Sequence, residues 1–305
     1  MADRIIFIVG PTAIGKTGLS FELARIIDCE IVSCDSMQVY KRMDIGTSKP
    51  AAMLLNALPH HLINVVEPSE EFSVAQYREL AVKAIEGIIS RKKTPLVVGG
   101  SGLYAKVLID GIFEAPVTDR RLRESLQEEA EEFGPEALHK RLAGVDPQAA
   151  AKIHVNDLRR IIRAIEVYEK AKEPISELQK KTSGLGERYD VRIFGLTMER
   201  AALYRKIDER VDLMFSGGLV GEAEALMAGK LSLTASQALG YKEIFGYLAG
   251  EYGLEEAKRL VKRDTRRFAK RQLTWFRGDE RVEWIELDEN FDTEAVARDI
   301  WKKLS

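Results

Sequence analysis

The chain has 305 residues, 45% of them hydrophobic, which is ample for a large core in one or two domains. No apolar run approaches the roughly 18 uncharged residues of a membrane span, and two cysteines, Cys29 and Cys34, exclude a disulfide framework or a cysteine-built metal site. A net charge of −2 argues neither for nor against a nucleic-acid partner.

In chain order, Ile5–Val9 reads as a short buried strand; it is too short for a signal-peptide core and runs into a turn instead. That turn, Gly10-Pro11-Thr12-Ala13-Ile14-Gly15-Lys16-Thr17, matches the phosphate-loop pattern G-x-x-x-x-G-K-[ST] in full. The glycines let the backbone curl so that N–H groups point inward at an anion. The following helix start adds partial positive charge. Lys16 places a full charge on the phosphate oxygens, and the Thr17 hydroxyl can ligate Mg²⁺. Thr17–Ile27 is predicted helical, with Leu19, Leu23, Ile26 and Ile27 on one stripe. The loop holds a di- or triphosphate; whether a phosphoryl group is transferred or the phosphates leave stays open at this point.

Glu30–Ser33 is a second strand and puts Asp35 just past its carboxyl end, where ligands bind in open α/β sheets. A carboxylate there can orient Mg²⁺ in a kinase, act as a general base, or simply cap a solvated turn. His60 and His61 have no cysteine or acidic cluster beside them, so they read as hydrogen-bonded histidines rather than ligands. Val74–Ile89 is helical. Thr94–Val98 is a third strand, ending in Gly99-Gly100-Ser101-Gly102 without an acid, which counts against NTP hydrolysis. Ser101 offers a hydroxyl where the backbone comes close to a ligand.

From Phe113 to Thr182 only helices are predicted: Asp119–Phe133, then Asp157–Lys172 with Asn156 as N-cap and Ile161, Ile162, Ile165 and Tyr168 as its buried stripe. Val191–Leu196 is apolar and able to return to the sheet. The rest is helical until a short strand at Val282–Leu287. Within it, Lys258 to Arg277 carries nine basic residues against one acid, Asp264. On a helical wheel Lys258, Arg259, Lys262, Arg263, Arg266, Arg267, Lys270 and Arg271 share an arc of roughly 220°, with Val261, Phe268 and Trp275 opposite. Such a face is either solvated surface or a track for RNA phosphates. The fold class that follows is α/β: a parallel-sheet core like that of the P-loop nucleoside triphosphate hydrolases, residues 1–112 with 199–305, interrupted by a mainly helical insertion, 113–198.

Taken together, GPTAIGKT (10–17), SCDSMQVYKRMDIGTSKP (33–50), PHHLINVVEP (59–68), VVGGSGLY (97–104), DPQAAAKIHVNDLRRIIRAIEVYE (146–169), ALGYKE (238–243) and RRFAKRQLTWFR (266–277) resemble the tRNA dimethylallyltransferases of bacterial type. The resemblance runs along nearly the whole chain, and DSMQVYKRMDIGT and AKRQLTWFR are far more specific than the phosphate loop. It implies transfer of a dimethylallyl group from dimethylallyl diphosphate to N6 of the adenosine 3′ of the anticodon in tRNA, with release of pyrophosphate. Gly10, Pro11, Thr12, Ala13, Ile14, Gly15, Lys16 and Thr17 would then hold the donor, with Mg²⁺ as cofactor at Thr17. Asp35, Ser101 and Arg210 would be catalytic. Asp35, Ser36, Met37, Gln38, Ser101, Arg123 and the run Arg159, Arg160, Ile161, Ile162 and Arg163 would contact the tRNA anticodon stem-loop. A cytoplasmic, nucleotide-binding (ATP-binding) monomer with no membrane and no obligate protein partner is the corresponding expectation. One departure stands out: the family usually has threonine at the position of Ser101, so the hydroxyl is kept and the methyl that restricts its rotamer is lost. A small-molecule kinase and a non-catalytic RNA-binding protein are the competing readings; intact Gly15, Lys16 and Thr17 weigh against the second.

Overall fold

The computed structural model describes residues 3–113 and 118–304; residues 114–117 of the expected insertion lie outside the described residues. The chain opens with β1 (Arg4–Val9), α1 (Lys16–Ala24), β2 (Cys29–Cys34), the one-turn α2 (Ala52–Ala57), β3 (His60–His61), α3 (Val74–Ser90), β4 (Thr94–Gly99) and α4 (Gly102–Ile109). Five helices follow: α5 (Arg120–Phe133), α6 (Pro135–Val145), α7 (Pro147–Lys152), α8 (Leu158–Ala171) and α9 (Ile175–Leu178). The chain then returns through β5 (Asp190–Met198), α10 (Arg200–Ser216), α11 (Leu219–Met227), α12 (Leu233–Ser236), α13 (Tyr241–Leu248), α14 (Leu254–Arg277), β6 (Val282–Leu287) and α15 (Thr293–Leu304).

The backbone forms two compact units: Met1–Ile109 with Leu185–Ser305, and Asp110–Gly184. β5 pairs with β1 and β6, so residues 185–198 belong with the sheet, not with the helical segment that the expected limits of 113–198 gave them to. The reason is local: Ile193, Phe194 and Leu196 lie in a continuous buried run, as in a parallel strand covered on both faces.

In the larger unit six parallel strands lie in the order β3-β2-β4-β1-β5-β6. Each crossover needs a helix to bring the chain back to the starting edge, which is why strand and helix alternate in sequence. β1 is central and its Ile5 to Val9 are all buried. Ile6, Ile8, Phe194 and Leu196 from the strands meet Leu19 and Leu23 of α1, Ile207 of α10 and Ile300 of α15 in one apolar cluster. Burying a side chain of this size contributes roughly 1.5–3 kcal/mol each. α1 ends at Ala24, earlier than expected, and Ile26 is 36% exposed rather than on the buried stripe. β3 was not foreseen; two residues are too short to carry a period. Tyr77 of α3, fully buried, donates to the Ser33 carbonyl and stacks on Tyr104 of α4.

The smaller unit closes around Leu126, Leu138, Leu142, Ile161, Ile162 and Ile165. The N-cap of α8 is Asp157, whose carboxylate accepts from the Arg160 N–H, and not Asn156 as the sequence pattern suggests. Either residue type can cap; a tight turn, Asp157 N–H to the His154 carbonyl, decides between them by setting where the first helical residue falls.

Candidate active site

β1 delivers the chain into the phosphate loop. Gly10 (φ 145°), Ala13 (φ 65°) and Gly15 (φ 100°) curl it back on itself. Gly15 is needed twice over. Its dihedral is one that L side chains rarely adopt, and a Cβ there would lie 2.7 Å from the Phe291 ring. α1 starts at Lys16, so the free N–H groups and positive dipole end of a nine-residue helix face the loop. The Lys16 ammonium donates to the carbonyls of Gly10 (3.0 Å) and Pro11 (2.7 Å). Burial, and next the Arg210 guanidinium, pull its pKa down to about 7, against the opposing pull of Asp35. Thr17 is exposed at the mouth of the loop.

β2 and β4 supply the other side. They run so close that a Cβ on Gly99 would lie 2.0 Å from the Cys34 carbonyl, which brings the loops after both strands together. Asp35 begins a tight turn: one carboxylate oxygen accepts from the N–H of Met37 (2.8 Å) and of Gln38 (3.3 Å). The other oxygen is left for a ligand proton. Ser101 accepts from the Ser36 N–H (3.1 Å), so its hydroxyl fixes the turn that carries Asp35. The Gln38 amide is held between the Ser33 hydroxyl and the Thr47 carbonyl. Ser36 and Met37 lie on the same turn.

Arg210 reaches this site from α10. It donates to the Ser48 hydroxyl (2.7 Å) and the Thr12 hydroxyl (3.2 Å), and burial lowers its pKa while Asp35 opposes the shift. Residues 12–17 of the phosphate loop, Asp35, Gln38 and Arg210 line one cleft of about 560 Å³, and Gly10, Ser36 and Met37 do not. Pro11 and Ser101 do not line it: Pro11 is buried, and Ser101 acts from behind the Asp35 turn.

Three contributors carry no local motif. Gln272 of α14 bridges the Thr12 N–H and the Gly100 carbonyl. Glu222 of α11 accepts from the N–H groups of Asp44, Ile45 and Gly46 and from the Tyr241 hydroxyl, and so shapes the loop that presents Ser48. Lys49 is buried in that loop between Asp44 and Asn64. Gln272 and Glu222 act through partners far apart in sequence; Lys49 and Gln272 fall within the quoted segments, and Glu222 had no signal in the sequence.

The remaining expected residues belong to the smaller unit. Arg123 forms a two-pronged ion pair with the fully buried Glu166, which Arg163 also contacts. Arg159 and Arg160 are exposed. Ile161 and Ile162 are buried in the unit's core, so they present nothing to RNA; the helix that exposes Arg159 and Arg160 necessarily turns the next two residues inward. α14 has its buried face at Ala257, Val261, Ala269, Gln272 and Phe276; Trp275, expected opposite the basic arc, is 40% exposed, and the polar Gln272 is inside. Much of the cationic arc is paired. Lys258 and Lys262 share Asp212, Arg266 holds Asp208, Arg263 and Arg267 share Asp264, and Arg259 pairs with Glu256. Lys270 and Arg277 have no ion-pair partner among the described residues.

Among the described residues no group of three or more His, Cys, Asp or Glu could hold a metal, and no helix is long and apolar enough to cross a membrane. His60 contacts the Leu58 carbonyl and His61 the Glu30 carboxylate.

Comparison with known proteins adds to this geometry. A family model described as IPP transferase matches residues 38–279. The tRNA dimethylallyltransferase of Acetivibrio thermocellus is 49% identical over 301 residues, covering 98% of this chain and 96% of the relative. That of Halothermothrix orenii is 48% identical over 307 residues, covering 99% and 93%. The crystal structure of the tRNA isopentenylpyrophosphate transferase of Bacillus halodurans is 41% identical with a TM-score of 0.72, covering 99% of this chain and 97% of that one. A eukaryotic dimethylallyltransferase captured acting on tRNA is 30% identical with a TM-score of 0.81, covering 98% and 78%.

Proposed function

The chain belongs to the IPP transferase family, and from that premise we propose that it transfers a dimethylallyl group from dimethylallyl diphosphate to N6 of the adenosine 3′ of the anticodon in tRNA. The observation that carries this reading is that one cleft holds a phosphate loop and the Asp35 carboxylate, one of whose oxygens has no hydrogen-bond partner among the described residues; the adjoining β4 end carries no acid, and the cleft's other carboxylate, Glu209, comes from α10 and not from a strand end. A hydrolase needs an acid at that strand end to hold metal and orient water; an alkyl transfer needs a place for the leaving diphosphate and a proton acceptor.

In this reading the loop N–H groups, Lys16 and Arg210 grip the diphosphate. Diphosphate binding favours the charged form of Lys16, whose pKa near 7 leaves it only part-charged beforehand. The adenine leaves its stack to enter the cleft, as bases do in other enzymes that act on them. N6 attacks C1 of the allyl group, the C1–O bond breaks, and its electron pair leaves with pyrophosphate. Asp35 takes a proton from N6, whose lone pair is otherwise delocalised into the ring; positioned acid–base groups of this kind typically contribute ~10²–10⁴-fold. Lys16, Arg210 and the loop dipoles stabilise the developing charge on the pyrophosphate without reorganising.

The donor set fits a divalent cation. Mg²⁺ is commonly held by one or two protein oxygens plus substrate phosphates, not by a protein cage, and Thr17 at the loop mouth is such an oxygen. When bound with the diphosphate it supplies charge neutralisation to the leaving group. In this reading Arg159, Arg160 and Arg163 of α8 contact the tRNA; the basic face of α14 is a separate candidate for contact with RNA phosphates. The enzyme acts in the cytoplasm as a monomer.

Incubation with dimethylallyl diphosphate, Mg²⁺ and an unmodified anticodon stem-loop yields RNA heavier by one C5 unit and free pyrophosphate. ATP yields no phosphoryl transfer under the same conditions. RNA of unchanged mass, with ATP consumed against a small-molecule acceptor, makes the chain a kinase instead.

A further inference from the structure

Gln272 is a polar residue on the inner face of a helix whose other side is almost wholly basic. It is 6% exposed, and its neighbours on that face are Ala269 and Phe276. Burying an amide is costly unless both of its ends are satisfied, and here both are. The side-chain oxygen accepts from the Thr12 N–H at 2.8 Å, and the side-chain nitrogen donates to the Gly100 carbonyl at 3.0 Å. The fit is close: a Cβ on Gly100 would lie 2.1 Å from that nitrogen.

The two groups it joins belong to the two halves of the site. Thr12 lies in the phosphate loop, and its hydroxyl accepts from Arg210. Gly100 precedes Ser101, whose N–H bonds the Cys34 carbonyl and whose hydroxyl holds the Ser36 N–H in the Asp35 turn. One amide therefore closes a continuous path from the donor-gripping loop to the carboxylate. It also takes the Thr12 N–H out of the set available to an anion. A loop meant only to bind phosphate as strongly as it can would leave that N–H free; here it is used to fix the loop's position.

We propose that Gln272 is a positioning residue for the transfer reaction: its amide ties Thr12 to Gly100 and so sets how far the departing diphosphate, and C1 attached to it, lies from Asp35. Only an amide can do this at neutral pH, since the bridge needs one acceptor and one donor on the same planar group. Methionine offers at most a weak acceptor and no donor, and a carboxylate lacks the donor. The proposal rests on the prenyltransferase reading, and the wild-type chain tests that reading separately.

The experiment compares Gln272→Met and Gln272→Glu with wild type, using dimethylallyl diphosphate, Mg²⁺ and the stem-loop RNA, across pH. Gln272→Met lowers kcat/KM for the donor by about 10–100-fold, with both kcat and donor KM affected and the RNA KM unchanged. Gln272→Glu shows the same deficit at about pH 8 and recovers relative to wild type toward about pH 6, because a buried carboxyl protonates early and the neutral acid again offers one acceptor and one donor. Taking the ratio to wild type at each pH removes the pH dependence that variant and wild type share. Absence of prenyl transfer by wild type strikes at the functional reading, and the bridge is then judged by inorganic pyrophosphate affinity, which Gln272→Met weakens if the tie shapes the loop. Donor kcat/KM within about twofold of wild type in Gln272→Met overturns the proposal. So does a Gln272→Glu deficit that does not change with pH, which would mark Gln272 as packing alone.

Discussion

Asp35→Asn separates the chemistry of Asp35 from its structural duty. In the proposed reaction the carboxylate has two jobs on two oxygens: one accepts from Met37 and Gln38 to hold the turn, and the other takes the N6 proton. Asparagine keeps an acceptor for the turn and removes the base. The turn bonds are therefore conserved, and stability changes by less than about 1 kcal/mol, while turnover falls by roughly 10²-fold or more. A second effect follows from charge. Asp35 counteracts the depression of the Lys16 pKa, so its loss lets that pKa slip further below about 7 and weakens donor binding at alkaline pH. Single-turnover rates at saturating donor isolate the chemical step from this binding effect. Affinity for RNA, measured without donor, stays within a few fold. Asp35→Ala is the contrast: it loses the turn as well, and costs a further ~1–2 kcal/mol of stability. A saturated single-turnover rate close to wild type in Asp35→Asn refutes the assignment of Asp35 as the base.

In the donor-free protein Lys16 titrates near 7, its pKa lowered by burial, and diphosphate binds the protonated form. Above about pH 7 binding therefore takes up a proton, and donor affinity falls by up to about tenfold per pH unit; calorimetry in buffers of different ionisation heat, showing no proton uptake at about pH 8, would contradict this. Arg123→Ala removes a two-pronged partner from a carboxylate with no exposure, and with Arg123 itself 41% exposed the expected loss is about 1–3 kcal/mol; an unchanged thermal transition of the helical unit would mean the pair is energetically idle. Arg263→Ala and Arg267→Ala lower the salt slope of RNA binding by about 0.9 each if they track phosphates and leave donor affinity alone; an unchanged slope makes that face of α14 solvated surface, with Arg263 and Arg267 held by Asp264.

Local chemistry made half of the site legible. The phosphate loop is written in eight consecutive residues because its shape depends on dihedrals that mainly glycine adopts easily and on a helix start within the same stretch. Asp35 could be placed because a strand's end is a local feature, and β6 matched its expected span, Val282–Leu287, a short β-prone segment at the sheet's edge whose two ends are buried. Periodicity likewise marked the helices of the smaller unit, although its one-residue error at Asn156 shows that a cap depends on where a turn closes.

Tertiary structure decided the rest. Strand order, the return of β5 beside β1, and the short β3 follow from which edges meet, and no window of sequence contains both edges. Ile161 and Ile162 sit inside a run quoted as RNA-binding, yet the helix's own rotation buries them. On α14 the wheel set Trp275 opposite the basic arc, yet it is 40% exposed; Gln272, which the wheel did not single out, is inside because it finds a donor and an acceptor 260 and 172 residues away. A polar side chain is buried only when distant partners satisfy it, and those partners exist only once the chain has folded.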